Sequence, residues 1–167
     1  RHGAWIVTLA RLLSILLAWM PALLWAAVIW QLGGDGWSAP ATSRFLGPLV
    51  DWLFPMATPE TREAWVAGIR KLAHPAVYGT LTALTYPASL WTLRMRRQIP
   101  TLILTLIPVL ALASADEWRQ AGSSLRTGSG WDVLLDGAGA IAVLLLIRLG
   151  ESFVKRRNPI GAQESRS

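Results

Sequence analysis

The residues best suited to chemistry lie between Ala115 and Gly139, where two apolar stretches end. Hydrocarbon solvates charge poorly, so ionisable residues beside a membrane must meet a partner or water, and they mark candidate functional sites. Such groups can perform acid/base catalysis, clamp an anion or bind a cation. The polar residues of this region are Asp116, Glu117, Arg119, Gln120, Arg126, Ser129, Asp132 and Asp136.

Three pairs of polar residues are spaced four apart, which places both members of a pair on one helix face. These pairs are His74 with Tyr78, Asp116 with Gln120, and Asp132 with Asp136. If each pair lies at a helix end, a bundle brings the three pairs together. We therefore expect acid/base candidates at Glu117, Asp116 and His74, and binding residues at Tyr78, Gln120, Asp132 and Asp136. Arg126 and Ser129, in the same region but outside these pairs, are also taken as candidate binding residues.

Structural roles also fit several of these residues. The acids at 116 and 117 can simply end a span, and Arg119 and Arg126 can form ion pairs with Asp132 or Asp136. The spacing matches no specific metal-ligand motif, so we assign no metal ligand, although carboxylates together with His74 could hold a divalent cation. The sequence leaves the cofactor unknown.

Composition indicates an integral membrane protein with one domain. The chain has 167 residues, of which 53% are hydrophobic, and its ten tryptophans are typical of membrane interfaces. The absence of cysteine excludes disulfides and thiolate chemistry. The net charge of +6 comes from short basic segments between apolar runs rather than from a basic block interleaved with aromatics, so we expect no nucleic-acid partner.

Four stretches of roughly 17 to 25 residues predict an all-α membrane protein, a bundle of four transmembrane helices. We expect a single domain over 1–157 and a disordered tail over 158–167. The predicted spans are 12–32, 72–93, 98–115 and 133–149.

The connection between the first two spans, 33–71, is too long for a bare loop, and we predict two short helices in it. The first, around Phe45 to Phe54, has helical apolar spacing and is expected to lie in the interface or to re-enter the bundle. The second begins with Thr58 as N-cap and Pro59 at its first position. This helix is expected to continue into the second span, with Pro75 interrupting the junction and placing His74 at a kink.

Basic residues predict the orientation. Arg94, Arg96 and Arg97 follow the second span, and a basic cluster beginning at Lys155 follows the fourth, so both segments are expected on the cytoplasmic side. Four spans then place both termini in the cytoplasm and the acidic region at the opposite, extracytoplasmic surface. The basic segments are expected to act as topological signals, and contact with anionic lipid would be incidental.

The motifs in this chain resemble those of the VanZ-like family. The resemblance covers roughly 64–146 and rests on Lys-x-x-His-x-x-x-Tyr and Asp-Glu-x-x-Gln followed by Arg, Ser, Asp and a polar residue before Gly. The chain has Val77 where that family commonly has an acid, and Asp136 where it commonly has Asn. The matching residues are Lys71, His74, Tyr78, Asp116, Glu117, Gln120, Arg126, Ser129, Asp132, Asp136 and Gly137.

The resemblance implies about four spans in a bacterial inner membrane and a connection with resistance to the glycopeptide teicoplanin. The resemblance does not indicate which reaction, if any, the chain catalyses. The partners expected from it are the lipid bilayer and a lipid-linked envelope intermediate or a glycopeptide. Whether the chain is an enzyme or a noncatalytic accessory protein whose charged cluster is structural stays open at the sequence level.

Overall fold

A computed structural model describes residues 2–94, 98–124 and 128–157, and within these ranges every regular element is helical. The predicted tail 158–167, together with Arg96, Arg97 and Arg126, lies outside the described residues. The elements are α1 (His2–Leu32), a 3-10 turn (Asp35–Trp37), α2 (Ala39–Leu53), α3 (Pro59–Leu93), α4 (Gln98–Ala121) and α5 (Gly130–Arg157).

Three helices are long and apolar enough to cross a membrane: Val7–Leu32 within α1, Gln98–Ala121 and Gly130–Arg157. They contain three of the four predicted spans. Large apolar side chains project outward from them, among them Leu17, Ile107 and Leu146, each more than 60% exposed. A soluble monomer rarely exposes so much apolar surface, so lipid is the medium that suits this exterior.

α3 is the central helix, since it packs against α1, α2, α4 and α5. Its buried face carries small hydroxyl residues whose side chains donate to backbone carbonyls one turn earlier, for example Thr82 to Tyr78 and Ser89 to Thr85, each at 2.9 Å. Such residues allow close helix packing without leaving an unsatisfied hydroxyl.

α3 and α5 run parallel, and their backbones approach closely. His74 lies beside Asp136, Gly79 beside Val143, and Tyr86 beside Arg148, so contacts advance along both helices in the same direction. Glycines in the interface make the approach feasible, because a Cβ at Gly79 would lie 2.8 Å from Val143 Cγ2.

The predicted start of the second connecting helix is confirmed. Thr58 is the N-cap of α3, its hydroxyl accepts the Thr61 N–H at 3.3 Å, and Pro59 is the first helical residue. Hydrogen bonds from its own backbone N–H and from the Thr58 side chain lower the pKa of Glu60. An acid in the first turn also complements the helix dipole.

The predicted continuation of this helix into the second span is confirmed, and α3 remains helical through Pro75 and Pro87, so Pro75 does not end the helix. Proline is tolerated in a helix where neighbouring helices support the segment, and α3 is surrounded by them. α2 likewise includes Pro48 and ends at Leu53, close to the predicted end of the first connecting helix.

Candidate functional site

Two adjacent acids near the end of α4, Asp116 and Glu117, have different neighbours. Consecutive helical residues differ by about 100° in direction, so Asp116 and Glu117 cannot face the same neighbour. Asp116 faces the carboxyl end of α1, whereas Glu117 faces the start of α5. Both side chains are buried.

Asp116 has partners for both carboxylate oxygens. Arg119 donates to Oδ1 at 2.7 Å, and the Gln120 amide donates to Oδ2 at 2.8 Å. The same guanidinium donates to the Trp30 carbonyl at 2.7 Å and lies 4.2 Å from the centroid of the Trp30 ring. A Cβ at Gly33 would overlap the Asp116 carboxylate, so glycine is required for this close approach of α1 to α4.

Glu117 connects α4 to the first turn of α5. Its Oε2 accepts the Ser129 backbone N–H at 2.7 Å, and the Ser129 hydroxyl in turn accepts the Trp131 N–H at 3.2 Å, which makes Ser129 the N-cap of α5. The other oxygen, Oε1, is buried and accepts no hydrogen bond from the described residues.

Asp136, one turn further into α5, is 1% exposed. His74 Nδ1 lies 3.4 Å from its Oδ1, an ion-pair distance that is long for a hydrogen bond. Within the described part of the chain, neither oxygen of Asp136 has a hydrogen-bond partner. Donor atoms of His74, Glu117 and Asp136 all lie within 4.8 Å of one another, so side chains from α3, α4 and α5 meet at one point, and we call these three residues the triad.

A cavity of about 180 Å³ adjoins the triad. His74 belongs to both, and Tyr78, whose hydroxyl is buried and lacks a partner in the described residues, contributes to the wall. Polar groups line one part of this cavity and apolar side chains from α1 and α3 line the rest. Its lining is Ile29, Leu32, Gly33, Trp37, Thr42, Arg70, Ala73, His74, Val77, Tyr78, Asp116 and Gln120.

The candidate residues expected from the sequence thus fall into two adjoining groups. Tyr78, Asp116 and Gln120 line the cavity together with His74. Glu117 and Asp136 form the triad with His74 and are not part of the cavity lining. Asp132 is half-buried in the first turn of α5. Arg126 lies outside the described residues. Arg119 pairs with Asp116, not with Asp132 or Asp136 as the sequence suggested.

Three contributors to the site were missed by sequence reasoning. Gly33 and the Trp30 carbonyl complete the surroundings of Asp116, and Arg70 adds a positive charge to the cavity lining. The pair Gly33–Gly34 after an apolar helix was a usable signal, but a glycine at a helix end already has an ordinary explanation as a C-terminal cap.

A comparison of the chain with protein-family models, with curated proteins and with solved structures finds no match.

Proposed function

We propose that the chain is a VanZ-like protein of a bacterial inner membrane, in which 72–93 of α3 forms a fourth span beside α1, α4 and α5. A helix surrounded by others can be less apolar than helices that face lipid, and α3 occupies that central position. Arg94 lies 20 residues after His74, and Lys155 lies 19 residues after Asp136. Each of these separations is about 30 Å along a helix. With these bases in the cytoplasm, both termini are cytoplasmic and the site faces outward.

In this proposal the outward site binds or acts on an amphiphilic component of the cell envelope, or a glycopeptide-like amphiphile. The observation that carries it is the mixed lining of the cavity, where His74, Asp116 and Gln120 adjoin apolar side chains such as Ile29 and Leu32. Drug-sized ligands occupy about 300–1,000 Å³. A cavity of about 180 Å³ is suited to a headgroup or a single substituent, with the rest of the ligand outside.

The contacts favour different roles for the two adjacent acids. Asp116 has both oxygens engaged, which suits a positioning residue that holds Gln120 and Arg119. Glu117 keeps one buried oxygen without a partner among the described residues, beside His74, so Glu117 is the better candidate for acid/base chemistry. Asp136 then serves as the ion-pair partner of His74, with its Oδ1 3.4 Å from Nδ1.

The test is expression of the full chain in a teicoplanin-susceptible bacterium. We expect the wild-type protein to raise the minimal inhibitory concentration, and Glu117→Gln or His74→Asn to abolish the increase. Glu63→Gln removes an exposed acid from α3 and is the matched control, which should behave as wild type. Membrane abundance is measured for each variant. Unchanged resistance in the Glu117 and His74 variants at normal abundance would remove the proposed site.

A noncatalytic accessory protein is the second candidate, and a specific observation favours it. Arg119 joins Asp116 to the Trp30 carbonyl, and Glu117 accepts the Ser129 N–H, so both acids also hold helix ends together. This role predicts that Glu117→Gln lowers the thermal stability of the purified protein in proportion to its effect in cells. A phenotype lost at unchanged thermal stability contradicts it.

A further inference from the structure

We propose that the triad of His74, Glu117 and Asp136 binds a divalent cation of the kind that accepts imidazole and carboxylate ligands, such as Zn²⁺. The proposal concerns cation binding alone and does not depend on the proposed action on an envelope amphiphile. It starts from three donor side chains that α3, α4 and α5 bring to one point.

The spacing of the donors suits a metal better than it suits direct hydrogen bonds. Zinc bonds to nitrogen and oxygen measure about 2.0–2.2 Å, which separates neighbouring tetrahedral ligands by about 3.4 Å. The distance between His74 Nδ1 and Asp136 Oδ1 is 3.4 Å, and donor atoms of all three residues lie within 4.8 Å of one another. Binding of all three residues to one cation requires the donor atoms that lie further apart to close to that separation.

The second observation is independent of this spacing. Asp136 is 1% exposed and Glu117 is 6% exposed, yet both Asp136 oxygens and Glu117 Oε1 accept no hydrogen bond from the described residues. A buried carboxylate without partners is costly because it loses its hydration and gains nothing in return. One cation at the centre of the triad would satisfy all three oxygens.

The bases available in the described residues do not supply this compensation. The imidazole of His74 approaches only Oδ1 of Asp136, which leaves the other two oxygens unsatisfied. The Arg119 guanidinium already contacts Asp116 and the Trp30 carbonyl. With Glu117 and Asp136 both ionised, the triad carries more negative than positive charge even when His74 is protonated, and that field attracts a cation.

The residues around the triad also include a hydrogen bond that supports one of its carboxylates and a cavity beside it. The Ser129 N–H holds Glu117 Oε2, as a supporting hydrogen bond does for a metal-ligating carboxylate, and leaves Oε1 without a partner among the described residues. Three protein ligands leave at least one coordination position open. His74 also lines the cavity, so the triad adjoins space for a water or a ligand oxygen.

The experiment measures zinc retained by the full chain in detergent, after incubation with Zn²⁺ and removal of free metal, by mass spectrometry of the metal. Wild type and the control Glu63→Gln should retain about one equivalent, whereas Asp136→Asn and Glu117→Gln should bind at least about tenfold more weakly. Both variants replace a carboxylate by an amide of the same shape, and circular dichroism checks their helicity.

Thermal unfolding supplies a second measurement, because a ligand that binds only the folded state raises the melting temperature. Zn²⁺ should raise it for wild type and for Glu63→Gln, and not for Asp136→Asn. Zinc retention by wild type no greater than by Asp136→Asn would overturn the proposal, and so would an equal zinc-induced shift in both.

Discussion

Gly139→Ala should destabilise the protein by forcing α3 and α5 apart. A Cβ at Gly139 would lie 2.6 Å from Pro75 Cα and 2.7 Å from Pro75 C, and these are backbone atoms that cannot rotate away. Overpacking of this kind costs about 1–3 kcal/mol, and the tight contact places the cost near the upper end. The helix preference of alanine over glycine returns about 0.5–1 kcal/mol, which leaves a net loss of about 2 kcal/mol.

Gly150→Ala is the matched control, because it makes the same change in the same helix at an exposed position with no atom within 4 Å of the new Cβ. It should gain about 0.5–1 kcal/mol. Equilibrium unfolding in mixed detergent, followed by circular dichroism, compares both variants with wild type. Equal free energies of unfolding for the Gly139 and Gly150 variants would refute the close approach of the two helices.

The same substitution should affect the site, since Gly139 follows Asp136 by one turn and Pro75 follows His74 directly. Separation of the helices at that level lengthens the distance between His74 and Asp136, now 3.4 Å. If the proposed role in teicoplanin resistance holds, Gly139→Ala should lose the resistance at normal abundance, while Gly150→Ala retains it.

Three further substitutions test separate contacts. Tyr78→Phe removes a buried hydroxyl that lacks a partner among the described residues, so the free energy of unfolding should stay constant or rise by about 1 kcal/mol, while the proposed teicoplanin resistance should fall. Arg119→Gln leaves the buried Asp116 with one partner and should cost about 1–3 kcal/mol in chemical unfolding, whereas the exposed Arg44→Gln should change it by less than about 0.5 kcal/mol. The pKa of Glu60 is lowered in the folded state, so ionised Glu60 stabilises the fold. This stabilisation is present above the ordinary pKa of about 4.3 and is lost as pH falls through the lowered value. Glu60→Gln should therefore remove this part of the acid dependence of the melting temperature.

Much of the helical organisation was predictable because it depends on local patterns. The run of apolar residues in α1 and the Thr58–Pro59 start of α3 carry their own signals, and the structure has both. The continuity of α3 through Pro75 was not predictable, because it depends on support from helices distant in sequence. The close approach of Gly139 to that proline is such a contact.

The site was predictable as a set of residues but not as an arrangement. Four-residue spacing indicates which side chains share a face, yet it does not say which helix that face meets. Asp116 and Glu117 are adjacent in sequence and have different neighbours, Arg119 for one and Ser129 for the other. The meeting of His74 with Asp136 follows from the parallel packing of α3 and α5, which no local pattern encodes.

The central claim is that α3 and α5 bring His74 and Asp136 together in one recess. The natural chain has no cysteine, so the pair His74→Cys with Asp136→Cys reports this contact without background. In native membranes, a short bifunctional thiol reagent should cross-link that pair efficiently. It should not cross-link His74→Cys with Gly150→Cys, a position 14 residues further along α5 and therefore about 21 Å away along the helix. Absence of cross-linking at 74 and 136, with both thiols shown to react singly, would contradict the account.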